Sequence, residues 1–179
     1  MKGKNGLILA SMIIEEMKPY CKKIEVVGDI RRQCNEVAVI ELLAVSRTIE
    51  MTNIFGALVA PYELINDWVQ ESGLYFHVNE PESKHFDWRK ERVWLHLTSE
   101  YQWGVQMALL TGCRQYAEWL VTPGWKGGAL PDKMEVRDGW LWAQEKKVIT
   151  LTEKVFYEII ETDWIRPKAR TAEAWRKPQ

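Results

Sequence analysis

Nine consecutive residues, Val37 to Val45, are apolar except for Glu41. Such a run predicts a central β-strand covered on at least one face. A carboxylate inside it must be paired or functional, because an isolated buried charge is too costly to keep. Just upstream, Ile24 to Val27 is short and β-branched, which also predicts a strand, and Gly28 ends it where a tight turn needs a residue without a side chain. The turn carries Asp29 and the pair Arg31 and Arg32. Strand, charged turn and second strand form the frame around which the remaining elements must pack.

Leu9, Met12, Ile13 and Met17 fall at helical spacing ahead of Pro19, with Glu15 and Glu16 off the stripe. Thr52 to Val69 predicts a second helix, capped by Thr52 or Asn53 and bent near Pro61, with Ile54, Leu58, Leu64, Ile65 and Trp68 turned to the core. Leu74 to Val78 and Arg92 to Leu97 predict two strands joined by a charged loop from Asn79 to Glu91. Ser99 to Val121 is helical in pattern and broken at Thr111-Gly112, and Pro123 to Pro131 is a Gly-rich loop. Met134 to Trp142 predicts a hairpin turning at Arg137-Asp138-Gly139. Thr150-Leu-Thr-Glu153 caps a last helix whose apolar face holds Val155, Phe156, Ile159 and Ile160.

A chain of 179 residues, 46% apolar, can bury one substantial core, divided at most into a larger and a smaller lobe. Ten Trp are many, and Trp94, Trp103, Trp119, Trp140 and Trp142 lie in regular segments, where indoles favour core or interlobe packing. No apolar run reaches the ~20 residues that span a bilayer, and no charged-then-apolar leader is visible, so a soluble, cytoplasmic protein is expected. Three Cys without C-x-x-C spacing (Cys21, Cys34, Cys113) suggest buried thiols rather than a disulfide framework or zinc site. The net charge of −1 argues against a strong general DNA binder, since nonspecific affinity comes mainly from Lys and Arg displacing counterions. The stretch Arg166 to Lys177, with five basic residues against one acid, is either a phosphate contact or simply solvated.

Six stretches in this order resemble the X family of DNA polymerases. Val27-Gly-Asp-Ile-Arg-Arg32 is similar to the family's Gly-Ser-x-Arg-Arg turn on the triphosphate, and Val39-Ile-Glu-Leu-Leu43 falls on its Asp-x-Asp-Leu-Leu. Arg92-Val-Trp-Leu95 falls on the strand that brings the third carboxylate. Leu110-Thr-Gly-Cys113 resembles the hinge below the incoming sugar, followed by Thr152-Glu-Lys-Val-Phe156 and Trp164-Ile-Arg-Pro167, which match the closing helix and tail. The resemblance covers residues 5–170. It implies an α+β fold: a polymerase beta-like nucleotidyltransferase palm with a mixed sheet and helices over residues 1–98, and a small C-terminal α+β lobe with a basic tail over residues 99–179. It also implies nucleotide contacts at Gly28, Arg31, Arg32, Thr111 and Gly112, and DNA contacts at Lys126, Lys133 and Arg137. Trp125 or Trp175 could add stacking on an unpaired base.

The departures gather where the chemistry would be. The family's three metal-ligand positions read Val39, Glu41 and Trp94, so Glu41 is the one surviving, vestigial acid. Asp29 replaces the neutral Ser facing the triphosphate, while Ala117 and Val121 replace polar residues that face nucleotide and template. A catalytically inactive, polymerase X-like scaffold follows, of viral or phage type and resident in host cytoplasm if viral, binding DNA weakly without sequence preference or a replication or recombination protein. No cofactor is expected. The alternatives are an active nucleotidyltransferase with ligands rearranged among Asp29, Glu41 and His96, the one case in which Mg²⁺ enters, and a pure protein-interaction module. Glu41 itself reads either as an ion-pair partner of Arg31 or Arg32, or as a remnant of catalysis. His96, like His77 and His85, reads first as a hydrogen-bonded strand residue.

Overall fold

The computed structural model describes residues 1–171; Trp175, Arg176 and Lys177 lie outside the described residues. Helix α1 (Gly3–Met17) buries Gly6, Ala10, Ile13 and Met17. Met12, expected inward, is displaced from that stripe; it is 38% exposed, and Arg89 donates to its sulfur at 3.7 Å. A single 3₁₀ turn through Pro19 leads to β1 (Cys21–Val26), then the short α2 (Gly28–Arg31) and β2 (Ile40–Ser46). The apolar run is continuous because β2 is covered on both faces. Ile40, Leu42 and Ala44 join Ala10, Ile13 and Met17 of α1 in one core, while Leu43 and Val45 turn the other way. Each fully buried Ile, Leu or Met of this set contributes roughly 1.5–3 kcal/mol, the alanines less.

The helix predicted over residues 52–69 is not formed. Its place is taken by a hairpin, β3 (Thr48–Thr52) with β4 (Leu58–Glu63), and only the last turns make a helix, α3 (Ile65–Glu71). Asn53, expected as a helix cap, accepts from the N–H groups of Phe55 and Ala57 at 2.9 and 3.0 Å, and this closes a turn. The same side-chain chemistry serves a cap or a turn, and tertiary context decides between them. Ile54 and Leu58, expected in the core, are 93% and 72% exposed, whereas Ile65 and Trp68 are buried as expected.

The expected loop from Asn79 to Glu91 is also a correction. It contains the end of β5 (Phe76–Glu80) and all of β6 (Ser83–Trp88), which a two-residue turn at Arg89 and Lys90, both at positive φ, joins to β7 (Glu91–Leu97). The charges concealed a period of two: Phe86 and Trp88 enter the core while His85 and Asp87 face away from it. The sheet order is β1-β2-β7-β6-β5, with β2 and β7 parallel and the other pairs antiparallel. The architecture is α+β with a mixed sheet.

Beyond the sheet, α4 (Trp103–Thr111) and α5 (Arg114–Val121) are separated at Gly112, as the sequence predicts. The predicted hairpin is β8 (Met134–Arg137) with β9 (Trp140–Ala143), and a third strand, β10 (Lys146–Val148), extends it. Helix α6 (Glu153–Ile159) is capped by Thr152, whose hydroxyl accepts from Val155 N–H at 3.2 Å. A second core forms from α4, α5, α6 and β9 around Tyr116, Leu120, Leu141, Phe156 and Tyr157. Between the two cores, Val27, Leu43 and Val45 pack on Trp103 and Met107, which carries α4 across the free face of the sheet. Gly104 permits that approach, because its N–H donates to Thr150 at 2.6 Å and a Cβ there would overlap the 150–152 backbone. Of the five Trp expected as packing, Trp103 alone is fully inside at 3% exposure; Trp140 and Trp142 instead carry Lys147 and Arg137 over their rings. No helix among the described residues is long and apolar enough to cross a membrane.

Candidate functional site

The turn after β1 stands against β2. Gly28 sits at φ +59°, and a Cβ there would collide with the Glu41 carboxylate, so a residue without a side chain is required on both counts. Burial pushes the Glu41 carboxyl up, and the neighbouring Asp29 charge adds to this; Arg32 and a hydrogen bond from the Asp29 N–H oppose it. The expected ion pair from Glu41 to Arg31 or Arg32 is absent among the described residues. Both arginines have other partners, because α2 points their guanidinium groups towards α4 and α6.

Arg31 donates to Glu153 through both terminal nitrogens, at 2.9 Å each, and to the Thr111 hydroxyl at 2.5 Å. Arg32 donates to the Thr111 carbonyl at 2.7 Å and is ion-paired with Asp29. The residues singled out in the turn and at the hinge therefore do come together: Arg31, Arg32 and Thr111 form one hydrogen-bonded group, with Gly112 beside it under the Tyr116 ring. The group is closed by two carboxylates of the chain itself, at Asp29 and Glu153.

Glu153 also receives Arg170 at 2.5 Å and the Trp164 indole at 3.0 Å. Burial works to raise its pKa, but the hydrogen bonds and charges of Arg31 and Arg170 outweigh it and hold the group at about 2. Arg170, read from sequence as part of a tail able to reach phosphate, is fully buried and lies over Tyr116, Tyr157 and Trp164. That expectation is corrected. Glu153, Trp164 and Arg170 were missed as a unit. The cap and tail words containing them were visible, yet no spacing rule links them to a turn more than a hundred residues upstream.

Along the sheet, Glu41 lies beside Trp94 and Trp94 beside His85. The Trp94 indole stacks on the His85 ring at 5.0 Å with the planes 21° apart, and Val39 is buried. His96 is one pleat further along the same face, opposite Leu43, with an unpartnered Nε2. Asp29, Glu41 and His96 are not gathered into a common ligand set: no group of three His, Cys, Asp or Glu among the described residues is arranged to hold a metal.

The expected DNA contacts all lie on the C-terminal half, Lys126 in the loop before β8 and Lys133 and Arg137 at the two ends of that strand. Lys126 is exposed over the Trp125 ring at 4.6 Å. Lys133 is exposed at the foot of β8. Arg137 is divided between Glu135 at 3.1 Å and Glu145 at 3.8 Å, and covers Trp142 at 4.4 Å. Lys147, on β10, lies over both Trp140 and Trp142, and no motif in the sequence marks it.

No protein family matches the chain, and no curated protein matches it in sequence.

Proposed function

We propose that the chain is a polymerase X-like protein that has given up phosphoryl transfer and serves as a scaffold on DNA. The observation that carries this is the closed state of the Arg31–Arg32 group. In a nucleotide site those guanidinium groups would meet phosphate; here Glu153 and Asp29 occupy the same donors. Carboxylate and phosphate are the two anions that a bidentate arginine binds best, so each acid competes directly with a triphosphate.

The donor set likewise does not fit a two-metal centre. Such a centre needs hard oxygen ligands around cations about 3.5–4 Å apart. Val39 and Trp94 offer none, and the Glu41 carboxyl is pushed towards its neutral form. What remains for function is surface: the exposed Lys126, Lys133, Arg137 and Lys147, interleaved with Trp125, Trp140 and Trp142, a combination suited to phosphate contact and base stacking.

Incubation with gapped DNA, all four nucleotides and Mg²⁺ or Mn²⁺ tests the proposal. No primer extension is expected, while the same DNA binds in an anisotropy titration. Template-directed incorporation abolished by Glu41→Gln would overturn it in favour of an active enzyme. A second reading, a protein-interaction module, is favoured by the hairpin tip, where Ile54 and Phe55 are 93% and 86% exposed. It is preferred if no DNA binds even at low salt.

A further inference from the structure

Among the described residues, neither β3 nor β4 joins another sheet, and Tyr62 is the one residue of the two strands that is not exposed. An isolated two-stranded sheet is marginal in water unless a further strand or a packed layer covers its apolar side. The register gathers that side together: Ile49 lies opposite Tyr62 and Met51 opposite Val59, so the four share one face. Thr48 with Glu63 and Thr52 with Leu58 pair on the other face, which is mostly polar. Ile49, Met51 and Val59 are 43–49% exposed, and the apolar surface continues into the tip at Ile54 and Phe55. The Tyr62 hydroxyl donates to Asp67 at 2.6 Å and closes the end nearest α3.

The extent of this surface and its lack of charge indicate what covers it. Taking ~200 Å² for a large apolar residue, Ile49, Met51, Ile54, Phe55 and Val59 hold roughly 600 Å² at their exposures, the upper end of what a monomer leaves as one apolar patch. Two copies would together bury about 1,200 Å², the lower bound for a specific, stable interface. No charged side chain lies on the face or the tip, so an identical face meets it without repulsion. Residues 48–63 hold two acids and neither Lys nor Arg, which does not suit an anionic lipid surface. The strand edges, by contrast, are guarded. Pro61 removes an N–H from β4, Glu50 places a charge on β3, and the register shifts between Ile49 and Met51, all of which oppose growth by edge pairing.

We propose that the chain forms a two-fold dimer in which the Ile49, Met51, Val59 and Tyr62 faces of two hairpins pack on each other, with the Ile54 and Phe55 tips completing the contact. Closed two-fold symmetry covers both faces at once and leaves none to propagate.

Sedimentation equilibrium of the full chain over about 1–200 µM tests this. A monomer–dimer equilibrium with a dissociation constant of roughly micromolar order is expected for an interface of this size. Met51→Lys, which would bury a charge in the contact, should weaken it at least about tenfold. Phe55→Ser, at a tip position open to solvent, should weaken it about tenfold through lost apolar burial and replaces Met51→Lys if that variant does not fold. Leu58→Ser on the opposite face and Leu7→Ser on α1, both at exposed apolar residues, should leave it unchanged. The proposal is overturned by a chain that stays monomeric throughout, by species heavier than a dimer, by equal weakening in Leu58→Ser or Leu7→Ser, or by flotation of the chain with lipid vesicles that Phe55→Ser abolishes. The samples contain no DNA, so a monomeric chain that still binds DNA in the anisotropy titration sinks the dimer and leaves the scaffold proposal standing.

Discussion

Arg31 grips Glu153 with two parallel hydrogen bonds of 2.9 Å, joining α2 to α6 across 122 positions of the chain. Because Arg170 and Trp164 converge on the same carboxylate, a single buried acid ties the first turn of the candidate site to the last described segment. Removing the acid strands two guanidinium groups, one of them fully buried. Glu153→Gln is therefore expected to lower stability in urea by about 3–5 kcal/mol, the cost of breaking a buried pair from one side. A loss below about 1 kcal/mol would show that the clamp is incidental.

The same residue sets the acid limit. Its folded pKa of about 2 lies below the ordinary 4.5, so the stabilisation is fully present above pH 4.5 and is lost as pH falls from 4.5 through about 2. The urea midpoint of the wild type should drop across that window. In Glu153→Gln this part of the drop should disappear, and an unchanged acid slope in the variant would count against the assignment.

Glu41 carries the opposite sign. Its folded pKa is raised, chiefly by burial, so it costs stability as pH rises above 4.5 and the carboxylate ionises. Glu41→Gln keeps an acceptor for the Asp29 N–H and removes the charge. A urea midpoint equal to or above that of the wild type is expected at neutral pH; a marked decrease would mean that Glu41 has a stabilising partner.

Asp29 is the carboxylate that closes the Gly28–Arg32 turn from within. Asp29→Ser releases one arm of Arg32 and removes a negative charge beside the turn. Nucleoside triphosphate binding, measured by calorimetry without metal, is expected to be undetectable in the wild type and at least about tenfold tighter in the variant, as expected for a recovered charge-assisted hydrogen bond. Equal, measurable affinity in both proteins would indicate that the turn is already open to phosphate.

DNA affinity should be weak and strongly salt-dependent. With no ion pair at Lys126, Lys133 or Lys147 among the described residues and Arg137 shared, roughly two to three phosphates are expected to be contacted, giving a slope of about −2 to −3 in log K against log salt. Lys126→Ala should reduce the slope by about one, and Trp125→Ala should weaken single-stranded DNA by about 1–3 kcal/mol while leaving blunt duplex unchanged. A slope that does not respond to Lys126→Ala would move the contact elsewhere.

Much of the frame was legible in the residues alone. The buried strand around Glu41, the glycine at the turn, the break at Thr111-Gly112 and the cap at Thr152 each depend on neighbours within a few positions, and local chemistry is enough to specify them. The hairpin at residues 48–63 and the strand β6 were not legible, for two reasons. Asn53 can cap a helix or close a turn, and the charges of β6 concealed its alternation. Above all, the partners of the two arginines were settled by tertiary structure. Sequence placed Glu41 nearest to them, but the direction in which α2 leaves its turn sends Arg31 to Glu153 and Arg32 to Asp29 and Thr111. Periodicity and motif spacing carry information along the chain, whereas an ion pair depends on where helix packing sends a long side chain.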